Sequence, residues 1–174
     1  MFGRFSLRCG LAAAAVAFAA APLCAAPVAP TKNAKSTAVI GVAASFRKLQ
    51  DLDFGALAVT AAAGTAILDP NTDIMTVTGG ILQIGGRPYA AMFETIAPRR
   101  SNVLIKAPNK PITLTRVGGT ETMTVSNFII SGSSSRNVNS GDPISFKIGA
   151  TLNVGANQVE GTYAGTFDVD VNYN

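Results

Sequence analysis

Apolar and polar residues alternate one by one through the last stretch of this chain. Tyr163, Phe167, Val169, Val171 and Tyr173 fall on one face, with Gly165 between them; Thr162, Ala164, Thr166, Asp168, Asp170 and Asn172 fall on the other. A period of two belongs to an antiparallel strand with one buried face, so residues 162–173 are expected to form one strand. Near the start, Ala38, Ile40, Val42, Ala44 and Phe46 alternate with Thr37, Val39, Gly41, Ala43 and Ser45. That segment is expected as a strand over residues 38–47.

Between these two, short apolar runs are punctuated by Gly, Pro, Asn and Asp. They predict strands at 53–59, 65–68, 74–78, 80–84, 90–96, 102–106, 112–116, 121–125, 128–131 and 144–152. Asp69-Pro-Asn-Thr-Asp73 offers a proline at the second turn position and side chains that cap their own backbone. Gly85-Gly86, Gly118-Gly119 and Gly132 are expected turn glycines, and residues 131–142, the longest polar segment, an exposed loop. Helical patterning is nearly absent. The alanines of 56–66 are interrupted by Thr60, Gly64 and Thr65 and carry no capping box. Many short strands with close turn signals imply an all-β fold, an antiparallel sandwich or barrel in one domain.

The first residues change the picture of the compartment. Arg4 and Arg8 precede an apolar run over 11–21, and small residues follow around Cys24-Ala25-Ala26. This is the layout of a secretory signal peptide, read here as residues 1–25, with 26–35 a flexible leader and 36–174 the single folded domain. The apolar run is too short to span a bilayer comfortably, so no transmembrane segment is expected in the mature chain. Both cysteines, Cys9 and Cys24, fall in the part to be removed, which leaves no disulfide for an exported protein. Loss of Arg4 and Arg8 also lowers the formal charge from +4 to +2. The remaining basic residues are scattered, so nucleic acid is not an expected partner. The expected location is the periplasm, the cell surface or the medium.

Histidine is absent from the whole chain, which removes the commonest general base and the usual nucleophile–histidine pairs. Asp168 and Asp170 form a carboxylate pair, but on the polar face of a strand they read as solvated charge that discourages edge pairing. Asp51 and Asp53 read as turn residues. Asp69-x-Asn71-x-Asp73 opens like a calcium loop, yet Ile74 and Gly80 stand where that loop needs a glycine and a bidentate acid. Gly79-Gly80 and Gly85-Gly86 lack the lysine and helix of a phosphate loop and read as turn glycines, while Ser133-Ser-Ser135 reads as loop. No catalytic residue, metal site or cofactor is expected.

Several elements recur in an order that resembles a known family. They are Leu52-Asp-Phe-Gly55, Ile67-Leu-Asp-Pro70 running into Thr78-Gly-Gly80, Ala91 and Phe93 after a Gly-Gly turn, and Met123-Thr-Val-Ser-Asn-Phe128. After Ile148-Gly-Ala-Thr-Leu-Asn-Val-Gly-Ala-Asn157 come Glu160-Gly-Thr-Tyr-Ala-Gly-Thr-Phe167 and Val171-Asn-Tyr173. Together they resemble the secreted bacterial proteins of domain of unknown function 4402, which implies an extracytoplasmic β-sandwich and no particular activity. A looser similarity runs to pilin-like chaperone–usher subunits and spore-coat-protein-U-like domains, and implies an Ig-like or pilin-like sandwich. The chain departs from classical fimbrial subunits in lacking a disulfide.

Two functional expectations follow. The first is a non-catalytic structural or interaction subunit at the cell surface, whose partner is a second copy, a periplasmic chaperone or an outer-membrane assembly protein. In it, Ala38, Ile40, Val42, Ala44 and Phe46 form a candidate donor strand, and Tyr163, Phe167, Val169, Val171 and Tyr173 mark the acceptor side, by strand addition. Self-pairing of the early segment within its own domain is the competing arrangement. The second expectation is a soluble extracytoplasmic domain that binds a small ligand or glycan, for which three tyrosines and no tryptophan offer little stacking surface.

Overall fold

Residues 43–174 are described by the computed structural model, and every regular element among them is a β-strand. In chain order they are β1 (Ser45–Gln50), β2 (Ala56–Leu68), β3 (Met75–Gly85), β4 (Ala91–Ile96), β5 (Ser101–Lys106) and β6 (Ile112–Arg116). Then follow β7 (Thr122–Ile130), β8 (Ser135–Val138), β9 (Ile144–Val154), β10 (Tyr163–Ala164) and β11 (Asp170–Tyr173). The fold is all-β and its strand pairs are antiparallel. The expected signal peptide (1–25), leader (26–35) and residues 36–42 lie outside the described residues.

The strands form two sheets. An eight-stranded sheet runs β1-β4-β9-β7-β6-β10, with β2 also on β9 and β3 outside β2; the second sheet is β11-β5-β8. Strand β9 organises the first sheet. Its residues 144–148 pair with β4, residues 151–154 pair with β2, and its other edge carries β7.

Two cores result. Where the three-stranded sheet lies on the larger one, Phe93, Phe146 and Ile148 meet Val103, Ile105 and Val138, all buried. Phe93 and Phe146 are direct cross-strand partners with ring centroids 5.5 Å apart, and Phe46 of β1 stacks on both. Where, among the described residues, no second sheet covers it, the eight-stranded sheet folds over on itself. There Ala66, Leu68 and Ile81 of the β2–β3 hairpin pack with Val125, Leu152 and Val154. Each such large side chain taken out of water contributes roughly 1.5–3 kcal/mol.

The fold-over has a local cause. Residues 60–63 of β2 face Gly80 alone, so the hairpin is interrupted between Val59/Ile81 and Gly64/Gly79. Gly79 has φ +73°, and a Cβ at Gly80 would collide with Ala62 O and Thr60 Oγ1. Gly79 and Gly80 were expected in a turn; they instead lie inside β3, at a bulge that only glycine fits.

Three further expectations are corrected. The strands expected at 53–59 and 65–68 are one continuous β2, and those at 74–78 and 80–84 are one β3. Residues 131–142 are not all loop: they contain β8, paired to β5, with Val138 buried. Tertiary contacts supply what the polar sequence does not announce. Arg136 donates to the carbonyls of Ser131, Ser133 and Ser145 and lies 5.7 Å from the Phe146 ring centroid. The terminal segment 162–173 is also two strands rather than one. β10 pairs with β6 in the large sheet and β11 with β5 in the small one.

At the end of β11 the Tyr173 hydroxyl lies 2.6 Å from Thr95 Oγ1 and donates to the Ser45 carbonyl at 3.3 Å. The start of β1, the buried hydroxyl of β4 and the last strand are thereby joined at one point.

Candidate functional site

The second core is incompletely covered, and a cavity of about 970 Å³ opens from it. Its floor is apolar: Leu114 of β6, Met123 and Val125 of β7, Leu152 and Val154 of β9. Every residue from 51 to 59 lines one wall, and every residue from 158 to 167 lines the other. Of these, residues 56–59 belong to β2 and residues 163–164 to β10, and the other wall residues lie in the segments that lead into or out of them. Residues 56–59 are bonded to β3 and β10 is bonded to β6. Among the described residues neither has a strand on its other side, so the groove is bounded by two backbone edges above an apolar floor.

Side chains fix both walls. Asp53 and Tyr89 exchange backbone hydrogen bonds at 3.0 and 2.9 Å, and Asp53 Oδ1 accepts from Gly55 N at 2.7 Å. On the opposite wall the Tyr163 hydroxyl donates to Val159 O and accepts from Gln158 Nε2, each at 2.7 Å. Val117 N donates to Thr162 O and carries the pairing of β10 with β6 outward. Asn157 N donates to Thr60 O, which joins the two walls at one end of the groove. Lys48 and Asp51 form an exposed ion pair among the lining residues. Asp53 also holds the Tyr89 hydroxyl above its ordinary range, chiefly through its negative charge.

The candidate acceptor residues are divided. Their common face survives, since Tyr163, Phe167, Val169, Val171 and Tyr173 are each half-buried while their neighbours are exposed. Tyr163 and Phe167 line the groove, whereas Val169, Val171 and Tyr173 pack on the aromatic core. Phe167 belongs to both places, 5.1 Å from Phe128 and 6.5 Å from Phe93 between ring centroids. Of the candidate donor residues, Ala38, Ile40 and Val42 lie outside the described residues. Ala44 is exposed and precedes β1, and Phe46 is in β1, paired with β4. The described part of that segment therefore pairs within its own domain.

The carboxylates singled out in sequence have structural partners. Asp69 accepts from Asn71 N, and Asp73 bridges from the turn to Ala90 N and Lys147 Nζ. Burial pushes the Asp73 carboxyl up, but the Lys147 and Ala90 hydrogen bonds and the charges of Lys147 and Arg87 bring it below the ordinary range. Asp168 and Asp170 border a smaller depression of about 570 Å³ with Lys106 and Lys110. The groove walls were missed as a pair in the sequence. Their only signals are the glycines at 55, 161 and 165, which bracket short segments that change direction.

A family model described as domain of unknown function (DUF4402) matches residues 44–173, nearly the whole of the described fold. No curated protein and no solved structure matches the chain.

Proposed function

Because the chain belongs to the DUF4402 family, a family described without an activity, we propose from the site itself that it is an exported, non-catalytic sandwich subunit whose groove takes in an extended strand. One observation carries this reading: residues 56–59 of β2 and 163–164 of β10, each paired on one side only among the described residues, border a groove with an apolar floor. An extended segment placed there gains backbone hydrogen bonds from an edge and drops alternate side chains onto Leu114, Val125 and Leu152, which is strand addition. The segment at 36–44 of a second copy suits it, with Ala38, Ile40, Val42 and Ala44 on one face. Phe46 is left out, since β1 already engages it. A periplasmic chaperone or outer-membrane assembly protein would present the same groove with a strand of its own during export.

The test compares full-length exported protein with a variant lacking residues 36–44. The intact protein should form ladders on detergent gels that collapse on boiling, and the variant should not. A stable monomer at high concentration, with no ladders, overturns the polymerising subunit. A second reading, a binder of a small apolar ligand, draws support from the groove volume, which lies in the range of ligand pockets. It would be favoured if an acyl-chain probe, but not the 36–44 peptide, raised the melting temperature.

A further inference from the structure

β1 is lightly held along most of its length. Five of its six residues are exposed, and among the described residues it pairs with β4 alone. Phe46 stacks on Phe93 and Phe146 but remains 40% exposed. Arg47 and Lys48 make ion pairs from exposed positions, and such pairs contribute little. Its first residue is held differently. Ser45 O accepts from Thr95 Oγ1 at 2.9 Å and from the Tyr173 hydroxyl at 3.3 Å, and the two hydroxyl oxygens lie 2.6 Å apart. Thr95 is fully buried. Each hydroxyl has a single proton to donate. With Ser45 in place both protons have an acceptor; if Ser45 leaves, the pair itself can take up only one. Tyr173 arrives on β11, the last strand, so the contact forms only once the chain's end has docked on β5.

We propose that Thr95 and Tyr173 form a latch that keeps β1 in its own domain and so sets how far strand exchange reaches. The proposal rests on the exchange reading above: the segment handed to a second copy ends at Ala44, and Ser45 stays behind. Ala44 is exposed and Ser45 opens the pairing with β4, so the latch sits at the boundary between the two roles. Without it β1 opens from its first residue, because weakly packed, exposed strand ends open at low cost. The engaged segment is continuous with β1 and then draws it toward the second copy. There β4 offers the same partners, Phe93 for stacking with Phe46 and Glu94 for Arg47, which is a domain swap. Thr95 and Tyr173 are thus positioning residues for exchange, and neither lines the groove.

A disulfide reports where β1 resides. Arg47 and Glu94 are direct cross-strand partners, and such pairs have Cα atoms roughly 4.5–5.5 Å apart, within reach of a disulfide. The full chain carrying Arg47→Cys and Glu94→Cys, with Cys9→Ser and Cys24→Ser, is oxidised at high concentration and run on non-reducing gels after boiling. With the latch intact the bond should be within one chain. With Thr95→Val and Tyr173→Phe, covalent multimers should appear. Val171→Ala, which thins the same strand's packing on the aromatic core and leaves both hydroxyls, should keep the bond within one chain. Far-UV circular dichroism confirms the fold of each variant. Hydrogen exchange of monomer at low concentration gives a second reading: Tyr173→Phe should speed the amides of residues 46–50 by about tenfold and leave those of β9 unchanged. Covalent multimers with the latch intact overturn the proposal, as does their absence in the double variant or their appearance with Val171→Ala. A chain that forms no ladders sinks the exchange reading alone, and the exchange rates of residues 46–50 then still decide whether the two hydroxyls hold β1.

Discussion

Asp73 shows how much one side chain can hold. Its φ of 55° places it in the left-handed region, where aspartate and asparagine are tolerated and most residues are not. Its carboxylate joins the β2–β3 turn to the start of β4 and to β9. Asp73→Ala removes both bonds and puts an alanine at positive φ, and should cost about 2–4 kcal/mol. Asp73→Asn keeps an acceptor for Ala90 N and the backbone preference, and should cost roughly half as much. Urea midpoints of the two variants check the difference. Glu121 offers a pH test. The hydrogen bond from Arg116, helped by backbone N–H groups, lowers its pKa from 4.5 to about 2. A depressed carboxylate contributes stability that is complete above its unfolded pKa and lost as pH falls through the folded one. Thermal midpoints should therefore fall between about pH 4.5 and 2, and Glu121→Gln should flatten that fall. The turn role of residues 69–73 was legible in the sequence. That its last aspartate also serves a strand 74 residues away was not, because no local pattern encodes so distant a partner.

At the scale of elements, the alternation at the C-terminus correctly gave which side chains turn inward, and it could not give the change of sheet between β10 and β11. Period two assigns faces, while partners are set by packing. β8 was illegible for the opposite reason. Its sequence, Ser135-Arg-Asn-Val138, is polar and follows a serine run, so its place depends on Arg136 and on Val138 being buried. The planar guanidinium reaches three carbonyls at 2.6–3.0 Å in directions a lysine ammonium cannot cover from one position. Arg136→Lys should accordingly loosen β8 alone, with amides of residues 135–138 exchanging about 10–100 times faster and those of β9 unchanged. Equal acceleration in both strands would mean that this anchor supports the whole sandwich.

For the whole molecule, dense turn signals and absent helical patterning were enough to give an antiparallel all-β domain. The presence of two cores was not legible. It depends on four residues of β2 crossing a single glycine of β3, a long-range fit with no sequence period, and the groove lies where the sheet folds over with no covering layer among the described residues. The contact of Tyr173 with Ser45 has a consequence of another kind. It brings the first described strand and the last within a few residues' reach, so the order in which the strands are joined can be altered while every pairing is kept. A circular permutant in which a linker of about six glycine and serine residues leads from Asn174 to Ala44, cut between Gly118 and Gly119, should fold. Gly118 is a suitable opening, exposed and with no atom within 4 Å of where a Cβ would stand. The permutant should keep the β-type far-UV spectrum and a single cooperative melt, and a chain that failed to fold would show that the β6–β7 turn must stay closed for the sheet to form.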